Sequence, residues 1–439
     1  MSAGSTLLVC FDGLRRDRAT AERMPNLSRF MAAGADLIKS RSVFPSETRV
    51  ASTTTVTGCT PGEHGLVANQ FINRAVAADG LFNTANHRNL ARADELGVLL
   101  DRQSLGQRLA AAGKRFAVVT TATAGATYMM SYGAEKHGQP VFSVHPGVGT
   151  PTLMKTAEER LGPVPAAATP NTAQIDYATR VLTDIVYPEH RPDLAILWMS
   201  DPDITSHGFG IDAPETIAAQ RGCDEAFGRI LDWQSSGEGP ENIVVMSDHG
   251  HVTGAARFDL AAALPEHAGQ LSPGYFSGLY LAEPTRKAIT AAVERLTHEP
   301  WCGLVFVNIP GDPQACVPGA LPASALGGGH RRSAPVCFTL RAAESPNRAR
   351  PRGVSSPVRF HPVAACMAGS PAANSPPFSP EKVRPSETAS GRRRPAGCRT
   401  SRRRSLPSSA SAPTAPAAGC CERCFPGMTT RPLSSPVAA

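Results

Sequence analysis

The chain is 439 residues long, 41% hydrophobic and 18% charged, a length that suits one large α/β domain or two ordinary ones. Its formal net charge of +7 invites a nucleic-acid reading, but residues 342–439 carry 15 Lys+Arg against 4 Asp+Glu. That leaves 29 basic and 33 acidic residues in 1–341, which excludes a basic binding body.

From the N-terminus, Ser5–Phe11 (STLLVCF) is a continuous apolar run of the kind buried on both faces of a parallel sheet, and it ends in Asp12-Gly13. The run is too short for a secretory leader or a membrane span, so a cytoplasmic enzyme is expected. Cys10 within it reads as a small core residue. Pro25–Ala33 predicts a short helix with Leu27, Phe30 and Met31 inward, stopped at Gly34. From Phe44 to Asn69 a Pro-marked loop runs into a segment of small hydroxyl side chains. Thr48 falls where that run turns helical. It is either an ordinary capping residue or a hydroxyl presented, with its backbone N–H, to an anion at a helix N-terminus. Ser104–Ala112 reads as a helix with an N-cap Ser and a closing Gly113, followed by a strand at Arg115–Thr121. Thr172–Val186 and Ala213–Trp233 read as helices, and Leu194–Met199 and Ile243–Met246 as further buried strands. Phe71–Asp101 and Ala122–Pro170 have no dominant period and are expected to form an inserted cap.

This alternation predicts an α/β fold, a mostly parallel central sheet with helices on both faces, with ligands bound beyond the carboxyl ends of the strands. Three of the best strands run into acids: Asp12, Asp203 and Asp248. Two of these acids have a histidine within four positions, so the three are expected to converge on one sheet edge. Asp203 and His207, spaced i,i+4, share one side of a turn or helix. Asp248 and His249 are adjacent and reach a common ion only if the backbone turns there, which Gly250 permits. Carboxylates and imidazoles without cysteine suit Zn²⁺ or another divalent transition ion. His330, after three glycines and before the strand-like Ala334–Leu340, is by itself a loop histidine.

In this order, FDGLRRD, the segment from Thr48 through VTGCTPGEHGLVAN, PDITSHGFG, VVMSDHG and GGGH resemble the motifs of the type I phosphodiesterase/nucleotide pyrophosphatase family. That family lies within the alkaline phosphatase superfamily, and the likeness covers roughly Leu7 to Leu340. The resemblance implies a catalytic domain over 1–341 with two divalent ions, zinc or manganese. Asp12, Thr48, Asp248 and His249 would hold one, and Asp203, His207 and His330 the other. Thr48 would be the nucleophile, passing through a phospho-threonine, and Asn69 would bind a phosphoryl oxygen together with the Thr48 amide. The implied reaction is hydrolysis of phosphodiester or phosphoanhydride bonds in nucleotide-like substrates. Phosphomonoester and phosphonoacetate-type C–P hydrolysis are alternatives on the same metals.

Several residues depart from the family pattern. Arg49-Val50-Ala51-Ser52 stands where Phe-Pro-Asn-His is common. Arg49 either binds an extra substrate charge, favouring dianionic monoesters, or faces solvent. Ser206 replaces a glycine. His251 follows SDHG where Met is common, and is expected behind the ligands or in packing. Cys59 and His64 read as structural. Residues 342–439, rich in Pro, Ser, Ala and Arg, are expected to be a disordered tail. They are either an out-of-frame reading of the gene's end or a genuine basic extension that contacts polyanions non-specifically. An inactive product with a polyanion-binding tail is the reading from a different class.

Overall fold

The fold was obtained as a computed structural model that describes residues 4–77, 80–253, 258–272 and 276–341, and the backbone of 365–367. The rest of the expected 342–439 tail lies outside the described residues. Strand β1 (Thr6–Phe11) is the axis of the main sheet, because its alternating side chains feed two cores. Leu7, Val9 and Phe11 face one side, where helices Pro25–Ala33, Pro151–Leu161, Thr172–Arg180 and Pro214–Ser235 cover them. Leu8 and Cys10 face the other, against helices Thr48–Thr57, Leu105–Ala111 and Ala124–Met130. On the first side Phe227 meets Phe11 and Phe30 edge-on, with ring centroids 5.7 and 5.3 Å away.

After a short hairpin, β2 (Gln70–Ile72) and β3 (Leu81–Asn83), the chain returns to the main sheet with β4 (Phe116–Thr120), β5 (Val141–Ser143), β6 (Leu194–Met199) and β7 (Asn242–Met246). The order is β5-β4-β6-β1-β7, every pairing parallel. Phe11 pairs with Met199, and Cys10 with both Trp198 and Met246, so Asp12, Asp203 and Asp248 emerge together beyond the carboxyl ends of three adjacent strands. The expected strands and helices appear within about two residues, although β7, expected to be buried, is an edge strand with Val244 exposed. One exception is the helix expected over Thr172–Val186: it loosens into a π-helical stretch at Val181–Val186 and continues to His190.

A second five-stranded sheet follows β8 (His251–Thr253). It comprises β9 (Leu271–Ser272), β10 (Phe276–Leu279), β11 (Cys302–Val307), β12 (Leu321–Pro322) and β13 (Val336–Leu340), in the order β12-β11-β13-β10-β9. One face packs on helix Arg286–Thr297 through Ile289, Val293 and Leu296. Phe276 and Phe306 lie 4.6 and 4.7 Å, centroid to centroid, from Phe44 in the loop before Thr48. This sheet therefore buttresses the entry to the Thr48 helix. The strand β14 (Ala365–Met367) pairs with β8.

The expected cap is only half present. Ala122–Pro170 contributes β5 and helices of the main sheet, because Phe142, Val144, Leu153 and Ala157 are core residues. Phe71–Asp101 does form a separate layer, around Leu66, Phe71, Phe82, Leu90 and Leu99. No helix among the described residues is long and apolar enough to cross a membrane.

Candidate active site

Helix Thr48–Thr57 is rich in Thr and Ser, which are weak helix formers; it is held by the burial of Val50, Ala51 and Val56, and its hydroxyls are satisfied by folding back on the backbone. Thr53, Thr55 and Thr57 donate to the carbonyls of Arg49, Ala51 and Thr53 at 2.7, 2.9 and 2.8 Å. Gly58, at φ 67°, closes it in the left-handed conformation. At the other end no side chain caps the helix. Thr48 is its first residue, so its N–H has no intrahelical acceptor.

Two groups of donors stand in front of that end. Asp12, Asp248 and His249 form one, and Asp203, His207 and His251 the other, with ligand atoms in each within 4.8 Å of one another. In the first group each carboxylate is tethered by one oxygen. Trp198 Nε1–H donates to Asp12 Oδ2 at 2.9 Å, while the Gly13 and His249 amides donate to Asp248 Oδ1 at 3.1 and 3.0 Å. The other two oxygens, Asp12 Oδ1 and Asp248 Oδ2, are buried without a hydrogen-bond partner. Both face His249 Nε2, at 3.5 and 3.4 Å. Thr48 Oγ1 lies 3.0 Å from the same nitrogen. The Gly250 carbonyl, 3.2 Å from His249 Nδ1, favours a proton there and leaves Nε2 as the lone-pair atom.

Asp203 joins the groups. Its Oδ1 is 3.8 Å from His249 Nε2 and contacts His251 Nε2, while its Oδ2 is 3.4 Å from His207 Nε2. Asp201, two residues earlier, is structural: it accepts from the Asn171 and Thr205 amides and the Thr205 hydroxyl.

Three buried carboxylates so close together cannot all ionise without a counter-charge. Burial, then the Asp248 and Asp203 charges, pushes Asp12 well above the usual carboxylate range. Burial and the Asp203 charge push Asp248 up to about 7. Burial alone would raise Asp203 too, but the neighbouring His251, His249 and His207 outweigh it and hold it below its usual range. Orphaned carboxylate oxygens converging on an imidazole lone pair fit a divalent cation.

Asn69 Oδ1 accepts the Arg49 amide at 3.2 Å, which fixes the side-chain amide and leaves its Nδ2 without an acceptor among the described residues. The Asn69 amide in turn donates to Glu47, a buried carboxyl that burial keeps above its usual range. Arg49 is partly buried rather than solvated: its Nε donates to Thr84 Oγ1 at 2.8 Å, and its two terminal nitrogens make no hydrogen bond to another described residue. His64, with Thr54 at Nε2 and the Leu66 amide at Nδ1, is held neutral by burial, its pKa lowered to about 3. Cys59 is also structural in its contacts, within the turn after the helix.

Two placements differ from the sequence reading. His251, expected behind the ligands or in packing, stands inside the second donor group. His330, expected there as a ligand, bonds through Nε2 to Asp101 Oδ2 at 2.9 Å and belongs to neither group. Arg331 and Arg332 converge on the same carboxylate. Sequence reasoning did not identify Trp198 or Asp101. The Trp in LAILWM read as core, and Asp101 lies 229 positions from its partner.

The profile of the family described as "Type I phosphodiesterase / nucleotide pyrophosphatase" matches residues 6–299. A venom phosphodiesterase from Macrovipera lebetinus is 24% identical over 249 residues, 56% of this chain. The match spans only 25% of the venom protein's own length. Among solved structures, phosphonoacetate hydrolase from Sinorhizobium meliloti 1021, in complex with phosphonoformate, superposes with a TM-score of 0.55 and 19% identity, covering 83% of this chain and 90% of that one. Murine ectonucleotide pyrophosphatase / phosphodiesterase 5, in complex with AMP, gives 0.54 and 16%, covering 77% and 79%. These likenesses establish the fold.

Proposed function

The chain belongs to the type I phosphodiesterase / nucleotide pyrophosphatase family, and from that premise we propose that it is a metal-dependent hydrolase of phosphodiester or phosphoanhydride bonds in nucleotide-like substrates. The observation that carries the reading is the pair of orphaned oxygens, Asp12 Oδ1 and Asp248 Oδ2, facing His249 beside the Thr48 hydroxyl. Asp12, Asp248 and His249, with Thr48 Oγ1, would hold one divalent ion, and Asp203 and His207 would hold a second with one further donor. When bound, such ions acidify a hydroxyl and neutralise charge on attacking and leaving oxygens; the donor types favour zinc, with manganese also compatible.

Thr48 Oγ, its proton released to solvent, attacks phosphorus, the bond to the leaving oxygen breaks, and that oxygen departs with the electron pair. Water then hydrolyses the phospho-threonine and restores the hydroxyl. The Thr48 amide and Asn69 Nδ2, both without acceptors among the described residues, donate to the phosphoryl oxygens as charge builds on them. A second reading, hydrolysis of dianionic phosphomonoesters or phosphonates, is supported by Arg49. Its Nε is tethered to Thr84, and its outer nitrogens remain available to an extra anionic oxygen.

Turnover of a chromogenic diester and its matching monoester, with added zinc and after chelation, tests both readings. Chelator-sensitive diester turnover that Thr48→Ala abolishes supports the first. Monoester preference that disappears in Arg49→Met supports the second. Turnover that survives chelation or Thr48→Ala refutes the shared mechanism.

A further inference from the structure

Thr84 is fully buried and binds both Asn69 and Arg49, the two side chains that would meet phosphoryl oxygens from outside the metal groups. Its place follows from the hairpin: Gln70 pairs with Asn83, so Asn69 and Thr84 stand opposite each other at the open ends of β2 and β3. There the Thr84 amide and hydroxyl both donate to the Asn69 carbonyl, at 3.1 and 2.7 Å. The hydroxyl's one hydrogen is thereby used. What it offers Arg49 is a lone pair, which accepts Nε–H at 2.8 Å.

This contact is held from both sides. Behind it, the chain presses on the first turn of helix Ala124–Met130: the Gly125 amide donates to the Ala85 carbonyl at 3.1 Å, and a Cβ on Gly125 would come 2.0 Å from the Thr84 carbonyl oxygen. In front, Asn69 is fixed by its amide on Glu47 and by its Oδ1 under the Arg49 amide. Glu47, Asn69, Thr84 and Arg49 thus close a circuit around the start of the Thr48 helix. Burial lowers the Arg49 pKa while the Glu47, Asp12 and Asp203 charges oppose the shift, so the guanidinium stands within reach of the site's field. With Nε committed to Thr84, the guanidinium plane is set and its two outer nitrogens form one fork. A phosphodiester has two unesterified oxygens and one negative charge. A monoester or phosphonate has a third such oxygen and a second charge, and these are what a fixed fork discriminates.

We propose that Thr84 is a specificity-determining positioning residue, whose hydroxyl locks Arg49 to the Asn69 backbone and so sets the preference for phosphoryl groups that carry a second negative charge. The proposal rests on the Arg49 reading above, and its test separates the two. Zinc-loaded, full-length wild type, Thr84→Val, Thr84→Ser, Arg49→Met and the double variant Thr84→Val/Arg49→Met are compared. Two quantities are read: the monoester-to-diester ratio of kcat/KM, and, independently of turnover, the calorimetric affinity for inorganic phosphate against that for dimethyl phosphate. Thr84→Val keeps the buried volume and removes only the hydroxyl. It is expected to lower the monoester ratio and the phosphate affinity about 10-fold, the worth of one hydrogen bond to a charged group, with dimethyl phosphate affinity unchanged. Thr84→Ser restores the hydroxyl and is expected to match wild type. The double variant is expected to fall no further than Arg49→Met alone, because the hydroxyl acts through the guanidinium; a merely structural threonine would give additive losses. Wild-type discrimination in Thr84→Val, lost discrimination in Thr84→Ser, or additivity in the double variant overturns the proposal. Unchanged discrimination in Arg49→Met overturns the Arg49 reading itself, and the proposal with it.

Discussion

Asp248 offers the sharpest test of the site's electrostatics, because removing its charge should have opposite effects on the stripped and the loaded protein. Its carboxyl is pushed up to about 7 by burial and by Asp203, against about 3.9 in an unfolded chain. Between those values the native state binds the proton that the unfolded state releases, so stability falls as pH rises, and the full penalty is present above about pH 7. Three pKa units correspond to roughly 4 kcal/mol. Asp248→Asn keeps Oδ1 as acceptor for the Gly13 and His249 amides and removes the charge. In chelator at pH 8 the variant should therefore be the more stable protein, by an amount on the order of 4 kcal/mol, with the advantage shrinking towards pH 4. Buried histidines such as His64 and His251, whose folded pKa values are depressed, make both proteins less stable on acidification below about pH 6.5. They cancel in the difference. With zinc at a millionfold excess over its dissociation constant, wild type gains about 8 kcal/mol by linkage, and the order reverses. Urea unfolding followed by tryptophan fluorescence, from pH 5 to 8.5 with and without zinc, reads both effects. A chelated Asp248→Asn less stable than chelated wild type at pH 8 would refute the crowded-carboxylate argument.

Trp198→Phe removes the donor to Asp12 Oδ2 and should weaken zinc binding about 10- to 100-fold, measured by competition with a chromogenic chelator; unchanged affinity in folded protein would contradict the tether. Asn69→Ala should lower kcat about 10²- to 10³-fold with little change in metal content, and an effect on KM alone would argue against a donor that acts in the transition state. Phe227→Ala, which empties the edge-on stack with Phe11 and Phe30, should cost about 3–5 kcal/mol in denaturant unfolding while leaving the donor groups in place. A cost under about 1 kcal/mol would show that this face of the sheet repacks.

The central sheet was legible because its strands, LLVCF, LAILWM and IVVM, are apolar on both faces and run straight into acids. Parallel strand order then places Asp12, Asp203 and Asp248 together. Of the second sheet only β13 was legible, as the strand-like Ala334–Leu340. β12 has two residues, and β11 changes register between Cys302 and Val305 with Gly303 and Leu304 exposed, so neither carries a period. Ala122–Pro170 concealed β5, whose three buried residues are too short a run to read. At the site, strand-end acids announce themselves, whereas the reach of a histidine after a turn does not. His251 is two residues past His249, and only the entry of the backbone into β8 decides that it returns to Asp203. The destination of His330 was hidden for another reason: its partner Asp101 lies 229 positions away, and only the fold gathers it with Arg331 and Arg332.

The position of β1 between β6 and β7 has a consequence for how the protein is made. Residues 12–193 must be synthesised before β6 begins at Leu194, and β7 comes later still, at Asn242. At about 5–20 residues per second this is a wait of roughly 10 to 40 s. Throughout it, the strand at the heart of the sheet has neither neighbour, while β4 and β5, made within the interval, can pair with each other before it ends. A nascent chain in that interval exposes its most apolar segment, and is a natural client for a ribosome-associated chaperone.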